Sequence, residues 1–367
     1  MTPDQRSLVE LADEILRSRT SNEQLVVVES SQTRIDEKLW AELAAAGLVG
    51  IAVPEEYGGA GLGPTEVCLL LEQVGRRVAP VPLWESAVAA LALTRFGSEE
   101  QRGAWLPEVA AGTAVLTVAV DLGGSAAGSR GSAASPRGDG GDLTLNGGAL
   151  NGLAPMVASG MHADAVLVVR EDELWLAPLA DAGRTPVETT THALAADLTF
   201  DRTPAVRLDG DADWVRDVAR LGLAAGQLGN TDEGVREAAS YLSQREQFGR
   251  PLATFQAVSQ QLGDAYCDVQ AMRATLWQAV WMLERAVHQQ GRAACREVDV
   301  ATWWACDAGV RVQTVVQHLH GGIGADTTYP VHRRLLWALR TDALLGGATR
   351  QLARLGPALV AATTARL

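Results

Sequence analysis

The hydrophobic period changes twice along this chain. Residues 1–112, and those from about 212 onward, place apolar side chains every three or four positions, the spacing of one helix face. Between them lie short β-rich runs separated by turn residues. Helices, then strands, then helices make an α+β multidomain chain, with three consecutive domains each burying its own layer. The 367 residues suffice for two or three such domains. The expected division is an N-terminal all-helical domain over 1–112, a central antiparallel β-barrel or sandwich domain over 113–210, and a C-terminal helical bundle domain over 211–367. No internal repeat is present.

Local signals sharpen this pattern. Thr2-Pro3-Asp4-Gln5 offers an N-cap, a proline at the first helical position and a glutamine at the third. Leu8, Leu11, Ala12, Ile15 and Leu16 then line one face. A second helix around Leu39, Trp40 and Leu43 stops at Gly47. The glycine- and proline-rich stretch Val53–Gly61 breaks the helical pattern. Helices follow near 65–78 and 83–96, and Ser98-Glu99-Glu100-Gln101 forms another capping box. Strands are expected in TAVLTVAV (113–120), DLTLNG, DAVLVVR, LWLAPL and DLTF. The Gly/Ser/Ala-rich stretch 122–142 reads as a flexible surface loop. Helices return over about 213–243, 297–318 and 331–363. Phe255, Val258, Leu262, Tyr266, Val269 and Met272 mark one long amphipathic helix.

Charge and composition exclude several classes. The formal net charge is −13, so no basic footprint for nucleic acid exists. No apolar run approaches the roughly 18 residues of a membrane-spanning helix. The polar, acidic N-terminus lacks the features of a signal peptide. Cys68, Cys267, Cys295 and Cys306 are far apart and read as reduced, buried small hydrophobes. Together these point to the cytoplasm.

No zinc, nucleophile-elbow or Walker signature is present. His318 and His320 have a spacing that could hold a metal, but no carboxylate or cysteine nearby completes a set. Gly321, Gly322 and Gly324 would let the backbone approach something bulky, although a plain helix–helix turn explains them equally well. Arg245-Glu246-Gln247-Phe248-Gly249-Arg250-Pro251-Leu252, then Phe255-Gln256, sits between two long helices. Two arginines flanking an aromatic suit a pyrophosphate and a flat ring; a solvated charged turn is the plainer reading. Trp277, Trp281, Trp303 and Trp304 lie at helical spacing and read as core or interface.

Taken in order, VPEEYGGAGLG (53–63), SEEQRGAWLPEVAAG (98–112), REQFGRPLATFQAV (245–258), HGGIGADTTYPVHR (320–333) and LGGATRQLARL (345–355) resemble the acyl-CoA dehydrogenase family over nearly the whole chain. The resemblance implies an N-terminal helical domain, a central β-domain and a C-terminal four-helix bundle. It also implies FAD, abstraction of an α-proton by a carboxylate, and hydride transfer to the flavin. In the family the Arg-x-x-Phe-Gly and Gly-Gly-x-Gly turns reach a neighbouring subunit's FAD. Carried over, they name Arg245, Gln247, Phe248, Leu252, Phe255, His318, Gly321 and Gly322, with His318 standing where a glutamine is usual.

The sequence departs from that family where the reaction would occur. The usual glutamate base falls within Leu345–Gly347, centred on Gly346, and Leu344–Arg350 carries no carboxylate. The alternative base position falls on Ala219. The Trp-Ile-Thr strand beside the flavin ring is replaced near Asn146–Pro155 by NGGALNGLAP, and a second flavin loop is reduced to Asp121-Leu122-Gly123-Gly124-Ser125. The resemblance is then to the base-lacking subunit of bacterial heterotetrameric steroid side-chain acyl-CoA dehydrogenases. Such a subunit, inactive alone, completes the FAD site of a homologous partner that supplies the glutamate, two of each chain together. The implied product is a 2,3-enoyl-CoA on a steroid side chain, with an electron-transfer flavoprotein or similar acceptor. Two other readings stay open: a homomeric flavoenzyme using an aspartate such as Asp217 or Asp342, and a flavin-free scaffold of the same fold.

Overall fold

A computed structural model describes residues 1–122, 143–289 and 295–364. Six helices come first: α1 (Pro3–Arg19), α2 (Asn22–Glu29), α3 (Glu37–Ala45), α4 (Pro64–Arg77), α5 (Leu83–Phe96) and α6 (Glu99–Ala110). Eight strands follow: β1 (Leu116–Val120), β2 (Thr144–Asn146), β3 (Ala149–Ala158), β4 (Ala165–Arg170), β5 (Glu173–Pro178), β6 (Gly183–Glu188), β7 (Leu194–Pro204) and β8 (Val206–Leu208). Then come α7 (Ala212–Gln244), a hairpin of β9 (Glu246–Gln247) and β10 (Arg250–Pro251), α8 (Gln256–Gln289), α9 (Cys295–His320), α10 (His332–Leu345) and α11 (Ala348–Thr364). No described helix is long and apolar enough to cross a membrane. Both capping boxes form, Thr2 with Gln5 and Ser98 with Gln101. The expected loop 122–142 lies, apart from Leu122, outside the described residues.

The chain divides into two compact units. One comprises residues 27–67 and 80–219 and holds α3, α5, α6 and both sheets. Its first sheet has the order β1-β4-β5-β8, its second β2-β3-β7-β6. Leu150, Val157, Leu198 and Phe200 from the second sheet bury together with Val166, Val168 and Ala177 from the first. The antiparallel expectation needs one correction: β1 pairs with β4 in parallel, Leu116 opposite Ala165. A parallel pair needs a long crossover, and the stretch from β1 to β4, with β2 and β3 placed in the other sheet, provides one.

The other unit comprises residues 1–26, 68–79 and 220–367. Within it α4 and α7 touch backbone to backbone. A Cβ at Gly75 would lie 1.8 Å from the Gly226 carbonyl oxygen, and one at Gly229 would lie 1.8 Å from that of Glu72. Charged groups cluster beside this contact. Arg76 of α4 meets Asp232 (2.8 Å) and Glu233 (3.2 Å) of α7, and Arg273 of α8 meets Glu72 (2.8 Å) and Asp232 (3.4 Å). Arg77 ties in Asp13 of α1 (2.6 Å). Burial pushes the Asp232 carboxyl up, but Arg76, Arg273 and Arg236 outweigh it and hold it below its ordinary value.

Two helical expectations are corrected. The helix expected over 331–363 is two helices, because Gly346 (φ 84°) and Gly347 (φ 83°) both turn left-handed. The stripe on α8 is buried only from Ala265 onward, at Ala265, Val269, Met272, Leu276, Ala279, Val280 and Leu283. Its start is uncovered: Phe255, Val258 and Leu262 are half-buried and Tyr266 is 56% exposed. Cys267, on the same uncovered stretch, is exposed rather than core, whereas Cys68 and Cys306 are buried. The Cys295 side chain lies outside the described residues.

The α4–α7 contact yields a stability prediction. Gly75→Ala should destabilise the protein by about 1–3 kcal/mol or more, since backbone must move to admit the methyl. Gly103→Ala, in an exposed turn of α6 with open space around it, should instead be stabilising by about 0.5–1 kcal/mol. Thermal unfolding of the two variants reads both signs.

Candidate functional site

The Arg245 segment begins where α7 ends. The Arg245 N–H donates to the Tyr241 carbonyl (2.8 Å), and the Leu252 N–H donates to the Arg245 carbonyl (2.8 Å). Between these bonds β9 and β10 pair, Gln247 opposite Arg250. The two-residue turn is Phe248-Gly249, with φ of 55° and 79°. Both central residues of such a tight hairpin need positive φ. Glycine adopts it freely, but an aromatic residue there is strained. The Phe248 ring at this turn lies out in solvent, 90% exposed. Phe255 lies beneath, 6.1 Å from the Phe248 ring centroid, with the Arg250 guanidinium 4.1 Å above its own ring. Arg245 and Gln247 are exposed, and Leu252 and Phe255 half-buried. Arg245 has no ion pair among the described residues. The result is a free forked cation beside a flat apolar surface.

The second segment begins where α9 ends. His318 is exposed on the last turn. His320, two residues on, is only 4% exposed. Its Nδ1 lies 2.7 Å from the Val316 carbonyl, and since a carbonyl only accepts, Nδ1 carries the proton. Gly321 follows with φ 66°. A Cβ at Gly321 or at Gly322 would meet nothing within 4 Å, so both backbones border open space. The two histidines share no environment that would serve one ion.

The two segments belong to one compact unit, and rings join them. His320 stacks on Tyr241 of α7, centroids 4.7 Å apart and planes 19° apart, and meets Tyr329 on another side at 5.7 Å. Sequence reasoning named His320 only as half of a metal pair and missed both tyrosines. The available signal was the spacing of Tyr241, one helical turn before Arg245.

The base positions hold no carboxylate, and neither is built to present one. Ala219 is fully buried and its carbonyl accepts from the Trp84 indole (2.9 Å). Gly346 and Gly347 hold left-handed conformations that a glutamate tolerates poorly. Asp217 is buried. The Asp342 carboxylate accepts from the Cys306 thiol and from the Ala348 N–H at the start of α11. Burial pushes Asp342 above its ordinary value and Asp307 adds to this, while the two hydrogen bonds oppose it. Burial, then Asp342, pushes the Cys306 thiol far up. Asp342 is thus committed to capping a helix. In the stretch Asn146–Pro155, a glycine turn joins β2 to a bulged β3. It presents no indole.

Family models match at both ends of the chain: the acyl-CoA dehydrogenase N-terminal domain over residues 2–113 and the C-terminal domain over 212–358. FadE27 of Mycobacterium tuberculosis is 36% identical over 363 residues, with 94% of each chain covered, and FadE28 of the same organism is 31% identical, with 86% of this chain and 91% of that one covered. Among solved structures, a single-substitution variant of the Tcur3481-Tcur3483 steroid ACAD superposes with a TM-score of 0.87 at 42% identity, over 98% of this chain and 99% of that one. The ChsE4-ChsE5 complex from Mycobacterium tuberculosis gives 0.86 at 33% identity, over 98% of each chain. With the helical, β-sheet and helical segments in the family's order, the chain belongs to the acyl-CoA dehydrogenase family.

Proposed function

We propose that this chain is the base-lacking subunit of a cytoplasmic, heteromeric, FAD-dependent acyl-CoA dehydrogenase that forms 2,3-enoyl-CoA thioesters on a steroid side chain. One contrast carries the reading. Most residues that would reach a neighbour's cofactor are exposed, Arg245 among them, while the base positions are a filled core site at Ala219 and a left-handed glycine turn at Gly346-Gly347, neither with a carboxylate. The likeness to a steroid ACAD and to the ChsE4-ChsE5 complex supports the partner and the substrate class.

The residues present fit the family's FAD. Arg245 offers a free guanidinium fork for pyrophosphate oxygens. Phe248, Leu252 and Phe255 offer a flat apolar face. Gly321 and Gly322, with open space where a Cβ would stand, let backbone come close. Gln247 and His318 complete the set with exposed polar side chains. Held there, FAD would supply the two-electron oxidant for dehydrogenation of the acyl chain. This chain contributes binding and orientation, and the carboxylate that removes the α-proton comes from the partner. The uncovered start of α8, with Tyr266 and Cys267 exposed, is the surface that the partner would cover.

The chain alone should therefore form no enoyl-CoA from acyl-CoA with an artificial electron acceptor, whereas the complex with its homologous partner should turn over. Turnover by the isolated chain would overturn the assignment. Arg245→Ala should weaken FAD retention in the complex. Ala219→Glu should not make the isolated chain active, because the base would enter a filled space. Asp342→Asn discriminates against an aspartate base: the complex should keep its turnover, because the amide oxygen still accepts from Cys306 and Ala348. The same variant has a stability signature. A carboxyl whose pKa is raised on folding loses stability as pH rises through that value. Asp342→Asn should thus gain stability over the wild type near neutral pH, and the gain should shrink as pH falls toward the ordinary 3.8.

A further inference from the structure

We propose that His320 is a positioning residue that holds the Arg245 turn and the Gly321–Gly322 turn in one fixed arrangement, so that together they present a single surface to the cofactor. The inference rests on the shared-FAD reading above.

Three features of the ring carry it. First, the ring spans the two segments. It stacks on Tyr241, whose carbonyl takes the Arg245 N–H, so Arg245 starts one hydrogen bond from the stacked residue. Second, it closes the glycine loop on itself. Gly321 and Gly322 follow His320 directly, and the loop returns to the same ring through Tyr329. The return is stiffened at Asp326, whose Oδ1 accepts from the Thr328 N–H and hydroxyl (2.8 Å each) and whose carbonyl accepts from the Tyr329 N–H (3.0 Å). Third, the ring is itself fixed. Nδ1 donates to the Val316 carbonyl, one turn back in α9, and this tether favours one orientation of the ring.

The remaining nitrogen argues against a bland role. Nε2 is buried and has no hydrogen-bond partner. An unpaired buried polar atom costs stability, and phenylalanine would fill the same slot without that cost. Among the described residues nothing uses the polarity of Nε2, so the flat ring between the two tyrosines remains as the functional feature. Supporting residues of this kind set whether first-contact groups sit in the productive place.

The test is an FAD titration of the assembled complex after flavin removal, run beside its thermal unfolding and size. His320→Ala should raise the FAD dissociation constant by about tenfold, the scale on which supporting residues act, with the complex still assembled. His320→Phe, which keeps a ring stacked on Tyr241 and in contact with Tyr329, should restore most of the affinity. Tyr241→Leu removes the other ring and should weaken FAD as His320→Ala does, and it stands in if His320→Ala does not assemble. Wild-type affinity in His320→Ala, or in Tyr241→Leu when that variant stands in, would overturn the proposal, as would His320→Phe binding as weakly as the alanine variant. Arg245→Ala run in parallel separates the two levels. If it also binds FAD normally, the shared-site reading fails. If it alone loses FAD, only the role of His320 fails.

Discussion

The backbone contact between α4 and α7 is the constraint on which the helical unit depends. Gly75 and Gly229 admit no side chain because each faces a carbonyl oxygen of the other helix. Two helices that close leave no room for packing error, and the buried charges beside them remove the remaining freedom. Arg76, Arg77, Glu72, Asp232, Glu233 and Arg273 are exchanged among α4, α7 and α8, and Asp13 draws in α1. Breaking one member would strand its partners away from water, a cost of about 3–5 kcal/mol for a buried pair. α7 thereby reaches its C-terminus as a fixed rod. The Arg245 hairpin is mounted on that end.

The hairpin that α7 carries and the two base positions are organised in opposite ways. Phe248 is held in a strained conformation with its ring in solvent, and Arg245 is exposed, with no ion pair among the described residues. Strain and an exposed cation are both disadvantages to an isolated chain, and under the proposed function both would serve to hold a flat, doubly charged ligand. The base positions are organised the opposite way. Ala219 is packed and hydrogen-bonded through its carbonyl, and the Gly346-Gly347 turn ends α10 while Asp342 caps α11. These positions serve packing and chain reversal, so one added carboxylate would not by itself build the chemistry.

Much of this was legible in the residues, for physical reasons that differ by element. The capping boxes at Thr2 and Ser98 are local hydrogen-bond patterns and need no tertiary knowledge. The long α8 was legible because its apolar spacing persists over many turns. The Arg245 and Gly321 turns stood out as breaks between long helices. Other features depend on distant contacts. β3 went unread because Gly152 and Met156, both at positive φ, interrupt its alternation with bulges. β6 is a polar edge strand with a proline, whose pairing with β7 is set by its neighbour. Tyr266 and Cys267 read as core because periodicity reports an apolar face and cannot say whether this chain or another covers it. His320 stands out in the sequence for its imidazole, but its contacts are two tyrosines that only the fold brings to it.

The most direct measurement is flavin stoichiometry by absorbance on the purified chain and on its stable complex with the homologous subunit. A site divided between unlike chains predicts little flavin on the chain alone and about one FAD per pair of unlike chains in the complex. One FAD per chain on the isolated protein would contradict it.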